Sequence, residues 1–140
     1  ISANGRRIVS ASYDKTVKVW DRMRRKEEFT LIGHSGAVNC LVLTTDDKRA
    51  ISGAGDFSIK VWNLERRILD ATLSGHTEAI RSLSVSFDGK RLASSANDNT
   101  VRVWDVETQH QQYLFSLHKR EVNSVVISPN GEYVISCCND

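Results

Sequence analysis

Tryptophan recurs at Trp20, Trp62 and Trp104, 42 residues apart each time, and three further residue types keep that interval. His34, His76 and His118 share it, as do Asp14, Asp56, Asp98 and Asp140. The serines Ser10, Ser52, Ser94 and Ser136 follow suit, each four residues before its aspartate. Four markers in one register define a supersecondary unit copied about three and a third times along 140 residues. Repeat architectures draw their stability from interfaces between neighbouring copies, so the chain is expected to stack units rather than wrap one irregular core.

Each copy reads as β. Val17-Lys18-Val19-Trp20, Ile59-Lys60-Val61-Trp62 and Val101-Arg102-Val103-Trp104 alternate apolar and long polar side chains, as the two faces of a strand require. Asn4-Gly5, Asp88-Gly89 and Asn130-Gly131 recur at the repeat interval and tolerate the positive φ angles of tight hairpins. The second copy carries Asp46-Asp47-Lys48 and no glycine there, which predicts a longer or more strained turn. Helical periodicity is absent, and the single proline, Pro129, stands just before a turn. In the clearest copy the strands fall at Ala37–Leu43, Arg49–Gly53, Ser58–Trp62 and Ile68–Leu73. Naming the four strands a to d, the chain reads b-c-d, a-b-c-d, a-b-c-d, a-b. The copies divide as a partial unit 1–32, complete units 33–74 and 75–116, and a partial unit 117–140. Four-strand units of this length are the signature of a β-propeller, and too few are present to close a ring, so remaining blades are expected from a longer parent chain.

The segments Gly33-His34 … Ser52 … Asp56 … Trp62-Asn63 and Gly75-His76 … Ser94 … Asp98 … Trp104-Asp105 resemble WD repeats, and the resemblance covers essentially the whole chain. Leu117 before His118, and Asn63 in place of the usual terminal aspartate, depart from the pattern. The expected fold is therefore all-β: WD-repeat propeller blades, four-stranded antiparallel meanders, forming an incomplete propeller. In a meander the d–a loop and the b–c turn fall at one end, which brings histidine and aspartate together. Serine late in strand b and tryptophan late in strand c can then join them through hydrogen bonds across the blade. The resemblance implies a buried network of this kind, complete in His34/Ser52/Asp56/Trp62 and His76/Ser94/Asp98/Trp104. It is partial in Ser10/Asp14/Trp20 and in His118/Ser136/Asp140. The resemblance also implies that positions three and five after the histidine, and one before the aspartate, face a partner. These are Ala37, Asn39, Ala79, Arg81, Glu121 and Asn123, with Tyr13, Gly55, Asn97 and Asn139. Tyr13 and Arg81 are of the types that most often dominate interface energetics.

Other chemistries fit poorly. A Ser-His-Asp hydrolase site occurs once, in a cleft with an oxyanion hole, whereas this set recurs in every repeat without a GxSxG elbow. The marker histidines lie 42 residues apart with no HxxxH or CxxC, so no metal site is expected. No phosphate-cradling glycine loop is present, and no cofactor or small-molecule substrate is expected. The basic run Arg22-Met23-Arg24-Arg25-Lys26, echoed by Glu65-Arg66-Arg67, falls in a c–d loop and reads as a solvated face. A net charge of +2, from 19 basic and 17 acidic residues, argues against nucleic acid and anionic membrane as partners. No apolar run reaches the ~20 residues of a membrane span. Cys40, Cys137 and Cys138 are odd in number and form no CxxC; they read as strand-packing residues of a reduced, intracellular protein, cytoplasmic with the nucleus open. His110 reads as a solvated loop residue. The functional expectation is a non-catalytic scaffold that binds proteins or peptides. The alternative is the regulatory propeller of a larger enzyme, an ATPase, kinase or ubiquitin-ligase component, whose catalytic domain lies outside these residues.

Overall fold

The computed structural model describes residues 1–140, and its regular structure is entirely β-strand. Sheet 1 holds β1 (Arg7–Ala11), β2 (Thr16–Asp21) and β3 (Lys26–Ile32) in that order. Sheet 2 holds β4 (Val38–Leu43), β5 (Arg49–Ala54), β6 (Ile59–Asn63) and β7 (Ile68–Leu73). Sheet 3 repeats this with β8 (Ile80–Val85), β9 (Arg91–Ala96), β10 (Val101–Asp105) and β11 (Gln111–Phe115), and sheet 4 pairs β12 (Val122–Ile127) with β13 (Val134–Cys138). Every pairing is antiparallel between chain neighbours, so each sheet is a meander. The strands expected in the second copy lie within a residue of those observed. Even the irregularities repeat: register shifts fall at Val19/Trp20, Val61/Trp62 and Val103/Trp104, and again at Val38/Cys40, Ile80/Ser82 and Val122/Ser124. Such bulges sharpen the twist of a sheet at the same place in each unit.

The core lies between sheets. Strand alternation sends Ile59 and Val61 of β6 one way, onto Ile80, Leu83, Trp104 and Val106 of sheet 3 and its following turn. It sends Trp62 of β6, with Leu64 just beyond it, the other way, onto Val17, Val19 and Leu31 of sheet 1. Val101 and Ala93 meet Val122, Val125 and Ile127 in the same manner between sheets 3 and 4. Covered on both faces, β5 and β9 are buried along almost their whole length instead of alternating. A fully buried tryptophan such as Trp62 or Trp104 contributes about 3–5 kcal/mol against alanine.

Three expectations are corrected. The Asp46-Asp47-Lys48 turn is not longer than its counterparts. Gly5, Gly89 and Gly131 have φ of 69°, 72° and 74°, and Asp47 takes the same position at 58°. Each of the four donates its N–H to the carbonyl three residues back. The strain half of the expectation stands, since a non-glycine residue there costs about 1–2 kcal/mol. The Asp47 carboxylate offsets this by accepting the N–H groups of Ala3 and Asn4, at 2.6 and 3.0 Å, which ties sheet 1 to sheet 2. Pro129 sits inside its turn, at the second position, where its fixed φ is suited. Among the cysteines, Cys40 and Cys138 are half-buried, but Cys137 is exposed instead of buried in the packing.

Candidate functional site

The d–a loops and b–c turns gather at one end of the sheets. In sheet 2, Trp62 Nε1–H donates to Ser52 Oγ at 2.8 Å, and Ser52 Oγ lies 2.8 Å from His34 Nε2. His34 Nδ1 lies 2.9 Å from Asp56 Oδ2. The proton order follows from the donors. The indole can only donate, so the serine hydroxyl passes its own proton to Nε2, leaving Nδ1–H to donate to the carboxylate. Sheet 3 repeats the chain atom for atom, with 2.8 Å from Trp104 to Ser94, from Ser94 to His76, and from His76 to Asp98.

The aspartates are heavily solvated by the protein itself. Asp56 accepts the Ser35 N–H, the Ser58 N–H and the Ser58 hydroxyl; Asp98 accepts the equivalents from Thr77 and Thr100. Burial by itself raises these acids, but the bonds from Ser58 and His34, and from Thr100 and His76, outweigh it and hold both carboxyls below the usual range. Burial pushes His34 and His76 down, against the pull of their aspartates, so both rings are neutral at neutral pH. Thr16, Ser58 and Thr100 were not singled out from the sequence, although they too stand 42 residues apart. A role was also missed for the glycines before His34 and His76. A Cβ at Gly33 or Gly75 would come within 3.1 Å of the edge of the Trp62 or Trp104 ring.

The partial sets differ. Trp20 Nε1–H donates to Ser10 Oγ at 2.9 Å, while Asp14 accepts the Thr16 N–H and hydroxyl and is exposed. His118 Nε2 bonds Ser136 Oγ at 2.8 Å, but its Nδ1 stands 3.8 Å from Asp140, whose carboxylate accepts the Lys119 N–H. Cys138 also reaches this group: its Sγ, His118 and Asp140 offer donor atoms within 4.8 Å of one another. Hydrogen bonds to Ser136 and Lys119 already occupy the histidine and the carboxylate.

Asp-His-Ser connectivity here matches that of a hydrolytic triad. Ser52 and Ser94 are 0% exposed, however, and each hydroxyl is held by an indole N–H, so no acyl carbonyl can approach Oγ. What the loop end does present is a set of side chains around the network. Tyr13 is 86% exposed beside Asp14. Arg81 Nε–H donates to Asn97 Oδ1 at 2.7 Å, and Asn123 repeats this to Asn139 at 2.9 Å. The matching partner of Asn39 is Gly55, which has no side chain, so the Asn39 amide crosses to the Ile80 carbonyl of sheet 3 at 3.0 Å. Glu121 is exposed and unpaired. The basic run lies at the opposite end, in the turn between β2 and β3.

Side-by-side four-stranded meanders, each fastened by a Trp–Ser–His–Asp chain, are blades of a β-propeller. The chain belongs to the WD domain, G-beta repeat family, whose profile matches residues 1–21, 25–63, 68–105 and 109–140. Each full match takes its first strand from one sheet and its next three from the following sheet, as 25–63 spans β3 through β6. Propellers of this family generally serve as non-catalytic scaffolds for protein interaction. Among solved structures the chain is similar to "Structure of U3-55K", with 22% identity and a TM-score of 0.91 over 97% of its length and 43% of that chain. It is equally similar to "Crystal structure of RRP9 WD40 repeats", at 22% identity and a TM-score of 0.91, covering 97% of this chain and 42% of that one. It thus spans less than half the length of these structures. Comparison with the curated proteins finds no match.

Proposed function

We propose that the chain is a non-catalytic docking scaffold that binds segments of other proteins at the end carrying the d–a loops and b–c turns. One observation carries this reading. The polar network is buried and pins those loops, while the flanking side chains Tyr13, Arg81 and Glu121 project into solvent and are not consumed by it. A rigid base with a variable polar and aromatic rim is the arrangement that interface hot spots need. Asn39, Asn97 and Asn123 supply adaptable amides between them. The setting is intracellular, in keeping with three free thiols, all of them at least partly accessible.

Further blades of the same polypeptide complete the propeller on β13. The groove there, lined by Val101, Val103, Tyr113, Phe115 and Val134, is the same face that Trp104 and Val106 cover one unit earlier. The test is selection of a displayed peptide library on the full chain, followed by affinity measurement. Tyr13→Ala and Arg81→Ala should each weaken the selected peptides about tenfold, the size of one hot-spot contact. Peptides that bind both variants and the unaltered chain equally would sink this reading.

A further inference from the structure

The end opposite Tyr13 carries a charge pattern that the fold does not require. There the a–b and c–d turns of sheets 1 and 2 border a polar groove of about 690 Å3 whose lining contains no hydrophobic side chain. Six carboxylates and six cations line it, and most of the carboxylates are already held by donors. Glu28 accepts Arg7 in a two-pronged bond at 2.8 and 2.7 Å. Asp46 accepts the Thr44 hydroxyl and the Lys48 N–H, Asp47 accepts two backbone N–H groups of sheet 1, and Asp21 accepts the Arg24 N–H. Four of the six lining cations are not consumed, whereas Arg7 and Arg67 both pair with Glu28, at 2.7 and 3.5 Å. Arg6, Lys26 and Lys48 line the groove and form no ion pair, and Arg24 reaches Asp21 only at 3.8 Å with its side chain 82% exposed. Glu65 is the one lining acid left without a donor to its side chain. Arg22, Arg25 and Arg66 stand on the same turns, also outside any ion pair, and give this end three more cations than carboxylates.

The repeat provides an internal control on whether the turns need these charges. Arg24-Arg25-Lys26 of the first unit corresponds to Arg66-Arg67-Ile68 in the second and Thr108-Gln109-His110 in the third. All three turns place their middle residue in the left-handed region, Arg25 at 54°, Arg67 at 59° and Gln109 at 64°. The turn backbone closes equally with threonine and glutamine, so it does not require arginine. Arg67 is used across the sheets, reaching Glu28 at 3.5 Å and lying over the Phe29 ring, whereas Arg25 and Lys26 form no ion pair. The charge is therefore available for binding, and it is concentrated at one inter-sheet groove.

We propose that this groove docks an acidic peptide segment of a partner protein, whose carboxylates or phosphoserines engage Arg6, Arg24, Lys26 and Lys48. Planar guanidinium forks suit carboxylate oxygens. An occupant with large apolar side chains finds no apolar wall. Single-stranded nucleic acid finds no aromatic face in the lining on which to stack its bases. This site is separate from the Tyr13–Arg81 end, so either can fail without the other.

The test uses the full chain and a fluorescein-labelled peptide of alternating glutamate and glycine, read by anisotropy. Binding should weaken several-fold when salt rises from about 0.05 to about 0.2 M, because exposed charges are screened over that range. The triple variant Arg24→Glu/Arg25→Glu/Lys26→Glu should bind at least about tenfold more weakly, with an unchanged thermal midpoint. If that variant unfolds, Arg6→Glu/Lys48→Glu makes the same measurement from the neighbouring turns. Three results overturn the proposal: no binding by the unaltered chain, equal binding by both charge-reversed chains, or tighter binding of a thymidine oligonucleotide of the same charge. Equal loss of the peptide in Tyr13→Ala also overturns it, since Tyr13 lies at the far end.

Discussion

A single proton order runs through each complete network: Trp N–H to Ser, Ser O–H to His Nε2, His Nδ1–H to Asp. Removing the middle member strands the other two in a buried site. His76→Ala should therefore cost roughly 1–3 kcal/mol, the penalty for unpaired buried polar groups, and shift the urea midpoint accordingly. An unchanged midpoint with a lost binding activity would show that the histidine contacts a partner instead. Protonation is linked to the same groups. Because burial depresses His34 and His76 below 6.5, the unfolded chain takes up protons there that the native chain refuses. Stability should be full above about pH 6.5 and fall as pH drops toward the depressed native values. A second loss begins below 3.8, where unfolded carboxyls protonate before the native Asp56 and Asp98 do. Urea midpoints that rise on acidification from about pH 7 to about pH 5 would contradict this sign. The four marker types were legible because tryptophan and histidine are rare enough for a period to stand out. Ser58 and Thr100 escaped notice because hydroxyl residues are common, and only the bond to the aspartate distinguishes them.

At the scale of the strand and turn, the backbone repeats more faithfully than the side chains. Every non-glycine residue with positive φ falls on one of three repeated positions: Lys15, Phe57 and Asn99; Arg25, Arg67 and Gln109; and Asp47 alone among glycines. The left-handed region suits asparagine and penalises bulky residues. Phe57 holds it at 69° while 46% exposed, where the next unit has Asn99 at 65°. Phe57→Asn should stabilise the chain by about 0.5–1 kcal/mol, read as a higher urea midpoint. A lower midpoint would mean that the half-buried ring packs more favourably than its backbone is strained. Hairpins marked by Asn-Gly and Asp-Gly were readable in advance because those pairs carry the turn chemistry themselves. Asp46-Asp47-Lys48 was not, since its turn is held from outside by the N–H groups of Ala3 and Asn4.

Between sheets, neighbouring interfaces solve the same packing problem with different volumes. A Cβ on Gly53 would meet Ile80 Cγ2 at 2.5 Å and Cys40 Sγ at 2.8 Å. One interface later the same positions hold Ser95, Val122 and Ser82: the side chain gained on β9 is matched by a methylene lost on β12 and a sulfur exchanged for oxygen on β8. Gly53→Ala should thus cost about 1–3 kcal/mol by overpacking, and Ile80→Ala, which removes the crowding Cγ2, should cost less in the Gly53→Ala chain than in the unaltered one. An equal cost in both chains would place the strain on Cys40. Burial also orders the sheets by protection. Amide exchange should be slowest in β5 and β9, covered on both faces, and fastest in the fully exposed β11 and at the free edge of β13. Uniform protection across all of these strands would be incompatible with open sheets.

Period, strand alternation and turn chemistry are local properties of the chain. The sequence by itself therefore determined the four-strand unit, the antiparallel meander, the end at which histidine meets aspartate, and the family to which the unit belongs. Tertiary structure decided what depends on the neighbouring copy: Trp62 and Trp104 are sealed by a preceding sheet while Trp20 is not, and Asp47 holds a glycine position by bonding another blade. It also decided which charges remain free. Arg22–Glu28 holds four basic residues followed by two acidic ones, and Asp46–Arg49 holds two of each. Only the folded groove shows Asp21, Asp46 and Asp47 bound by backbone and hydroxyl donors, Glu28 taken by Arg7 and Arg67, and Arg6, Arg24, Lys26 and Lys48 left facing water. The Asp47 bonds join residues 43 and 44 positions apart, and no local pattern encodes their geometry.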